Sequence, residues 1–122
     1  CLNMNHRVAG LEEKIGPGHS IYYRCRKIQC VNHCEFYIEY VPGTKKIHAI
    51  GCECVKLNWG HPVPNSGSDC YLYEFAHGNK VYYKCEAHQC KQGCVIQVTF
   101  TDGHYNTVEK VVCHCGFVPF PE

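Results

Sequence analysis

The sequence predicts an all-β, small, disulfide-rich chain of two tandem homologous modules, each a strand plus a β-hairpin with three disulfides. Cysteine spacing is the first reason. Cys25, Cys30 and Cys34 are set C-x4-C-x3-C, close with Cys52 and Cys54 as C-x-C, and are preceded by Cys1. Cys85, Cys90, Cys94, Cys113 and Cys115, preceded by Cys70, repeat both spacings, and this internal duplication accounts for all twelve cysteines. The second reason is apolar alternation of period two, the mark of a half-buried strand. The third is that no stretch of about ten residues follows a helical period.

Each element has its own signal. Ile21-Tyr22-Tyr23-Arg24-Cys25 aligns with Val81-Tyr82-Tyr83-Lys84-Cys85, and Gly18 with Gly78 just ahead. A short run of β-branched and aromatic residues after glycine reads as a strand. Past the third cysteine of each cluster, Phe36, Ile38 and Tyr40 alternate in one copy and Ile96, Val98 and Phe100 in the other. Turn signals follow at Pro42-Gly43 and Asp102-Gly103, where glycine supplies the permissive backbone. Second runs, Ile47 to Ile50 and Val108 to Val112, then lead into the C-x-C. Cys34 and Cys52, like Cys94 and Cys113, flank these turns almost symmetrically, so a bridge across each hairpin base is geometrically reasonable among fifteen connectivities per module. Residues 1–57 form the first module and 70–122 the second. Residues 58–69 join them, within a stretch from Val55 to Asp69 rich in proline and glycine.

Size and composition agree with a stapled scaffold. The 122 residues give modules of about 60 each, too small to bury much apolar surface unaided. Cysteine is near a tenth of the chain, which points to an oxidising, extracellular compartment and a secreted protein. The formal net charge is only +1, so no global field favours nucleic acid or an anionic membrane. Residues 1–61 carry eight Lys/Arg against five Asp/Glu and residues 62–122 four against six, an imbalance that suits an ordinary solvated exterior. No run is long enough to span a membrane as a helix. A chain beginning at Cys1 without a signal peptide is expected to be a processed or trimmed mature form, and a monomer.

Zinc is the first chemistry to weigh, because nine histidines accompany the cysteines. C-x3-C falls within knuckle spacing, but C-x-C poorly supplies two tetrahedral ligands to one metal. The histidines also fail to repeat: His33 aligns with Gly93, His88 with Ile28 and His114 with Glu53. We expect no metal and no cofactor. A cysteine nucleophile needs an unpaired thiol near a base, and every cysteine here has its duplicate. Ser20, Ser66 and Ser68 are the only serines, none in a nucleophile elbow. Glu12-Glu13, or Glu35 with Glu39, carry no pattern that would push their pKa values apart. The chain is expected not to be an enzyme.

Binding remains. Nine tyrosines, five phenylalanines and one tryptophan are many for such modules, and tyrosine gives large contact area at low entropic cost. Strand alternation points one ring of each Tyr-Tyr pair outward, and Tyr23 and Tyr83 are assigned that position. The stretch Arg7 to Gly18, extra in the first copy, reads as a contact loop with Arg7, Leu11 and Lys14 as its candidates. Lys45, Lys46, His104 and Tyr105 sit at the hairpin tips, and Trp59 is an anchor or a packing residue within the linker. The tail Phe117 to Pro121 is apolar enough to fold back or to present a strand.

A Tyr-Tyr strand before cysteine, a C-x4-C-x3-C cluster, a hairpin and a closing C-x-C together resemble the small cysteine-rich modules related to the von Willebrand factor type C domain. Duplicated or single forms of this kind are common among secreted salivary proteins of ticks, a group that includes complement inhibitors. The chain lacks that domain's Cys-Cys pair and C-x-x-C elements. The resemblance implies a non-enzymatic inhibitor in saliva, serving immune evasion by sterically occluding an extracellular host-defence protein, with a complement component as the first expectation. It carries over no functional residue, since the cysteines are its only matched motif. Two other functions fit the residues. One is a protease inhibitor against a digestive or clotting enzyme, with Lys45-Lys46 at the cleavage point. The other is an extracellular matrix or growth-factor-binding module.

Overall fold

A computed structural model describes residues 7–25, 35–53, 57–63, 71–86 and 95–114. Nine strands run through them: β1 (Arg7–Ala9), β2 (Leu11–Ile15), β3 (Ser20–Cys25), β4 (Glu35–Tyr40), β5 (Ile47–Glu53), β6 (Tyr71–His77), β7 (Lys80–Glu86), β8 (Val95–Phe100) and β9 (Val108–His114). No helix occurs among the described residues. The all-β class therefore holds, and the alternating runs form strands where the pattern put them. Phe36, Ile38 and Tyr40 on β4, and Ile96, Val98 and Phe100 on β8, all point into the core.

The strands form two sheets, ordered β1-β5-β4-β7-β6 and β2-β3-β8-β9. Each sheet draws on both copies of the repeat. The hairpin β4-β5 of the first copy pairs with β6-β7 of the second, and β8-β9 of the second pairs with β2-β3 of the first. Register is the same at both seams: Tyr23 lies opposite Ile96 and Tyr83 opposite Phe36, with Ile21 opposite Val98 and Val81 opposite Ile38. The copies are thus interleaved, and their inner faces bury one shared cluster, including Ile21, Tyr23, Phe36, Ile38, Ile50, Ile96, Val98 and Phe100.

The bridges differ from the hairpin-base expectation. Cys52 bonds Cys25, and Cys113 bonds Cys85, with Cα atoms 5.9 and 5.7 Å apart. Cys52 and Cys113 are buried on the inner faces of β5 and β9, so they look across the sandwich. Their partners sit on β3 and β7 of the opposite sheets. Each bridge therefore stays within one copy while tying one sheet to the other. Cys1, Cys30, Cys34, Cys54, Cys70, Cys90, Cys94 and Cys115 lie outside the described residues, as does the tail Phe117–Pro121.

Most of the stretch Arg7 to Gly18, expected as a loop, is strand: β1 and β2 account for residues 7–9 and 11–15. β1 runs parallel to β5 at the edge of the five-stranded sheet. At Gly10, with φ 69°, a left-handed backbone that glycine adopts without penalty, the chain leaves that sheet and enters β2 of the other. β6 is a further strand beyond the expected strand-plus-hairpin, joined to β7 through Gly78-Asn79, with Gly78 at φ 64°. The Pro42-Gly43 turn places Gly43 at φ 75°, as its turn signal requires, whereas after Asp102-Gly103 the left-handed residue is Tyr105, at φ 56°.

A candidate binding face of aromatic rings and lysines

The five-stranded sheet has an outer face organised in rows by strand register. One row runs Tyr37, Tyr82, Phe75 across β4, β7 and β6; the rows beside it run Glu35, Lys84, Tyr73 and Glu39, Lys80, His77. Alternation dictates which side chains these are. Tyr83 and Cys85 are buried, so Tyr82 and Lys84 must face out. Tyr37 packs at a tilt on Tyr82, 6.1 Å between ring centres, and it lies directly over Gly51, where a Cβ would stand 2.8 Å from the ring. Trp59 comes from the joining segment, which hydrogen-bonds to the edge of the sheet through Val63 N–H and Leu72 C=O at 2.7 Å. Its indole meets Tyr73 and Phe75 edge-on, each at 6.4 Å.

Two lysines are threaded through these rings. Lys80 Nζ lies 4.5 Å from the Tyr37 ring centre and 3.7 Å from Glu53 Oε1. Lys84 Nζ lies 4.7 Å from the Tyr73 ring centre and 5.4 Å from that of Trp59. Each such cation–ring contact is worth about 0.5–1 kcal/mol at a surface site. Burial works against the charge of Lys80, but Glu53 and the neighbouring phenols hold its pKa above the usual lysine value. Burial and then the Glu53 carboxylate raise Tyr82, whose hydroxyl donates to Glu53 Oε2 at 3.4 Å. A hydrogen bond to Glu86, followed by burial, raises Tyr73. These raised values keep the Tyr73 and Tyr82 phenols neutral and Lys80 charged at neutral pH.

The duplicate face on the four-stranded sheet has the opposite character. Tyr22 takes the place of Tyr82, Arg24 of Lys84, Gln97 of Tyr37, Glu12 of Tyr73 and Lys14 of Phe75. Its polar groups satisfy one another. Arg24 donates from Nη2 and Nε to Glu12 Oε1 at 2.7 and 2.9 Å. Gln97 donates to Ser20 Oγ at 2.9 Å and its carbonyl stands 2.9 Å from His114 Nε2, whose ring tilts against Tyr22 at 5.5 Å. One duplicated face is closed by internal hydrogen bonds and the other is aromatic.

The structure distributes the sequence candidates over several places. Tyr23, Tyr83 and Leu11 are corrected to core positions, all buried on inner faces. Counting back by two from Cys25 or Cys85, both inward, reaches Tyr23 and Tyr83; that parity is the signal that assigns Tyr22 and Tyr82 to the outside. Arg7 lies on β1 opposite Ala49, and Lys14 is exposed on β2. Lys45 and Lys46 are brought against the other hairpin tip. Val108 N–H donates to Lys45 C=O at 3.0 Å, Ile47 N–H donates to Asn106 C=O at 2.8 Å, and Lys46 bridges Thr107. There His104 is exposed, while Tyr105 packs edge-on against Phe100 at 5.6 Å. Of the candidates, Trp59 alone stands on the aromatic face. Its companions Tyr37 on β4 and Lys80, Tyr82 and Lys84 on β7 follow from the parity of those strands, and Tyr73 and Phe75 from the alternation Tyr71, Tyr73, Phe75 before the Gly78-Asn79 turn, a hairpin signature.

Among the described residues, no three His, Cys, Asp or Glu side chains gather as metal ligands, and no helix is long and apolar enough to cross a membrane. Compared with family models, curated proteins and solved structures, the chain matches none.

Proposed function

We propose that this is a secreted, non-enzymatic binding protein that occludes a surface of an extracellular protein, with a complement component or related host-defence factor as the first target class. The observation that carries the binding reading is the divergence of the duplicated faces. Gln97, Glu12 and Lys14 on one sheet stand where Tyr37, Tyr73 and Phe75 stand on the other, and there Tyr82 and Trp59 complete the cluster. Tyrosine and tryptophan clusters of this kind dominate binding energy at protein interfaces. Disulfides that tie the two sheets support an oxidising, extracellular setting and a rigid face that loses little entropy on association. The choice of complement rests on the family resemblance alone. A protease-inhibitor role for Lys45-Lys46 is less favoured, because the flanking backbone is already hydrogen-bonded to Asn106–Val108 rather than displayed as an unpaired loop.

The test is a pull-down from serum with the disulfide-intact chain, paired with a complement lysis assay. One serum protein should be retained and lysis should fall. Trp59→Ala and Tyr82→Ala should each weaken retention about ten-fold or more, while Tyr22→Ala, the equivalent change on the other face, leaves it unchanged. Equal effects of Tyr22→Ala and Tyr82→Ala would remove the aromatic face from the mechanism. Retention of a protein outside complement, with lysis unaffected, would keep the binding reading and discard the target class.

A further inference from the structure

We propose that Lys84 anchors the partner: it receives an Asp or Glu carboxylate of the bound protein, beside apolar side chains that rest on Trp59 and Tyr73. This rests on the reading of the aromatic face as the binding face, and adds the chemistry of what binds there.

The duplication supplies the argument. Arg24 and Lys84 are equivalent, each next to the third position of its Tyr-Tyr strand. Arg24 finds its carboxylate within the chain, on Glu12 of the neighbouring strand, at 2.7 and 2.9 Å. The residue in that place beside Lys84 is Tyr73. The cation has been kept and its internal anion replaced by a ring. Among the described residues no carboxylate lies within ion-pair distance of Lys84 Nζ, whereas the other lysine of the face, Lys80, has Glu53 at 3.7 Å. The acidic groups nearest in the strand pattern are engaged elsewhere. Glu86 accepts from the Tyr73 hydroxyl, and Glu35, opposite Lys84 on β4, is buried and has a partner of its own. Nζ leans the other way, over the rings on the β6 side.

Two rings thus hold the ammonium group from its own chain's side, and among the described residues no counter-charge meets its outward side. A lysine held this way meets an incoming carboxylate already ordered, and the surrounding rings shield the pair from water, where a charge pair is stronger. Aromatic surface around it fits apolar side chains flanking that carboxylate, so the occupant is an acidic residue set in an apolar patch of a protein.

The experiment uses the full, disulfide-intact chain, immobilised and panned against a displayed random-peptide library. The enriched peptides should carry Asp or Glu next to apolar residues. Lys84→Met should weaken them about thirty-fold or more, the loss expected on breaking an interfacial charge pair. Lys84→Arg should retain most of the affinity. Tyr73→Glu, which rebuilds the internal pair seen at Arg24, should abolish binding while thermal unfolding shows the fold intact; it gives the same answer if Lys84→Met fails to fold. Enriched peptides without acidic residues, no enrichment, or affinity indifferent to Lys84→Met and Tyr73→Glu would overturn the proposal. Peptides lost with Trp59→Ala but not with Lys84→Met leave the face standing and remove the anchor. Peptides indifferent to both remove the face as well. Heparin retention that depends on Lys84, without acidic-peptide enrichment, assigns the cation to a sulfated glycan and also overturns it.

Discussion

Tyr23 and Tyr83 occupy equivalent core positions, and the residues around them show how a duplicated core drifts. Tyr83 shares a hydrogen bond with Tyr40; at the place of Tyr40 the other copy has Phe100, and the Tyr23 hydroxyl is buried without a partner. Burial pushes both phenols far above their ordinary pKa. An unpaired buried hydroxyl costs about 1–3 kcal/mol, and a net hydrogen bond contributes about 1 kcal/mol. Tyr23→Phe should therefore raise stability by about 1 kcal/mol and Tyr83→Phe lower it by a similar amount, as measured by denaturant titration. Glu13, opposite Tyr23 on β2, has an unpartnered buried Oε2, and burial raises its pKa above the usual carboxylate range. A raised carboxylate favours the folded state while protonated, and that contribution is lost as pH rises through the folded-state pKa. Glu13→Gln should accordingly unfold at a higher temperature than the parent at pH 7. The difference should vanish below the ordinary glutamate pKa of about 4.5. A gap that widens toward low pH would reverse the sign of the argument.

At the scale of elements, β5 and β9 are the same strand with one telling difference. Gly51 sits under the Tyr37 ring, while its equivalent Val112 lies beside Gln97. The glycine lets a large ring lie flat on the sheet; the valine sits where no ring needs that space. Gly51→Ala would put a Cβ 2.8 Å from the tyrosine ring, so Tyr37 must move. We expect a loss of roughly 1–3 kcal/mol and, in NMR spectra, shifted resonances for Tyr37 and Tyr82 with β8 and β9 undisturbed. Strands β3, β4, β5, β7, β8 and β9 were legible because alternation and cysteine position mark them. β2 was not, because Glu12-Glu13-Lys14 carries charge on both faces, and its Leu11 is the one buried side chain of the strand. β6 was missed although Tyr71, Tyr73 and Phe75 alternate, since its polar Glu74 faces the inner side at an exposed sheet edge.

For the whole molecule, interleaving predicts that the two repeats unfold as one cooperative unit. Each sheet contains strands of both, and the core cluster spans both. Ile38→Ala in the first repeat and Ile96→Ala in the second should each lower a single unfolding transition, by about 2–5 kcal/mol. Two resolved transitions, only one of which responds to each substitution, would show independent modules. The bridges add to this unit by closing loops with sequence separations of 27 and 28 residues. In the chain-entropy account each constrains the unfolded chain by roughly 3.5 kcal/mol. Replacing Cys25 and Cys52 together by serine should cost about that much. The paired change at Cys85 and Cys113 should cost the same, because the loops match.

By itself the sequence determined the duplication, the all-β class, the inward runs of β4 and β8, and a cysteine framework suited to an oxidising compartment. These are local or periodic properties: spacing, alternation and turn residues act within a few positions of the chain. Only the tertiary structure decided that the repeats exchange hairpins, that Cys52 reaches Cys25 across the sandwich, and that Tyr82, Tyr37, Phe75 and Trp59 meet on one face. Those outcomes depend on which strand edges pair at long range, where two equivalent hairpins offer equivalent edges and the same hydrogen bonds. Local pattern cannot choose between them, because the choice is made by packing of the whole core.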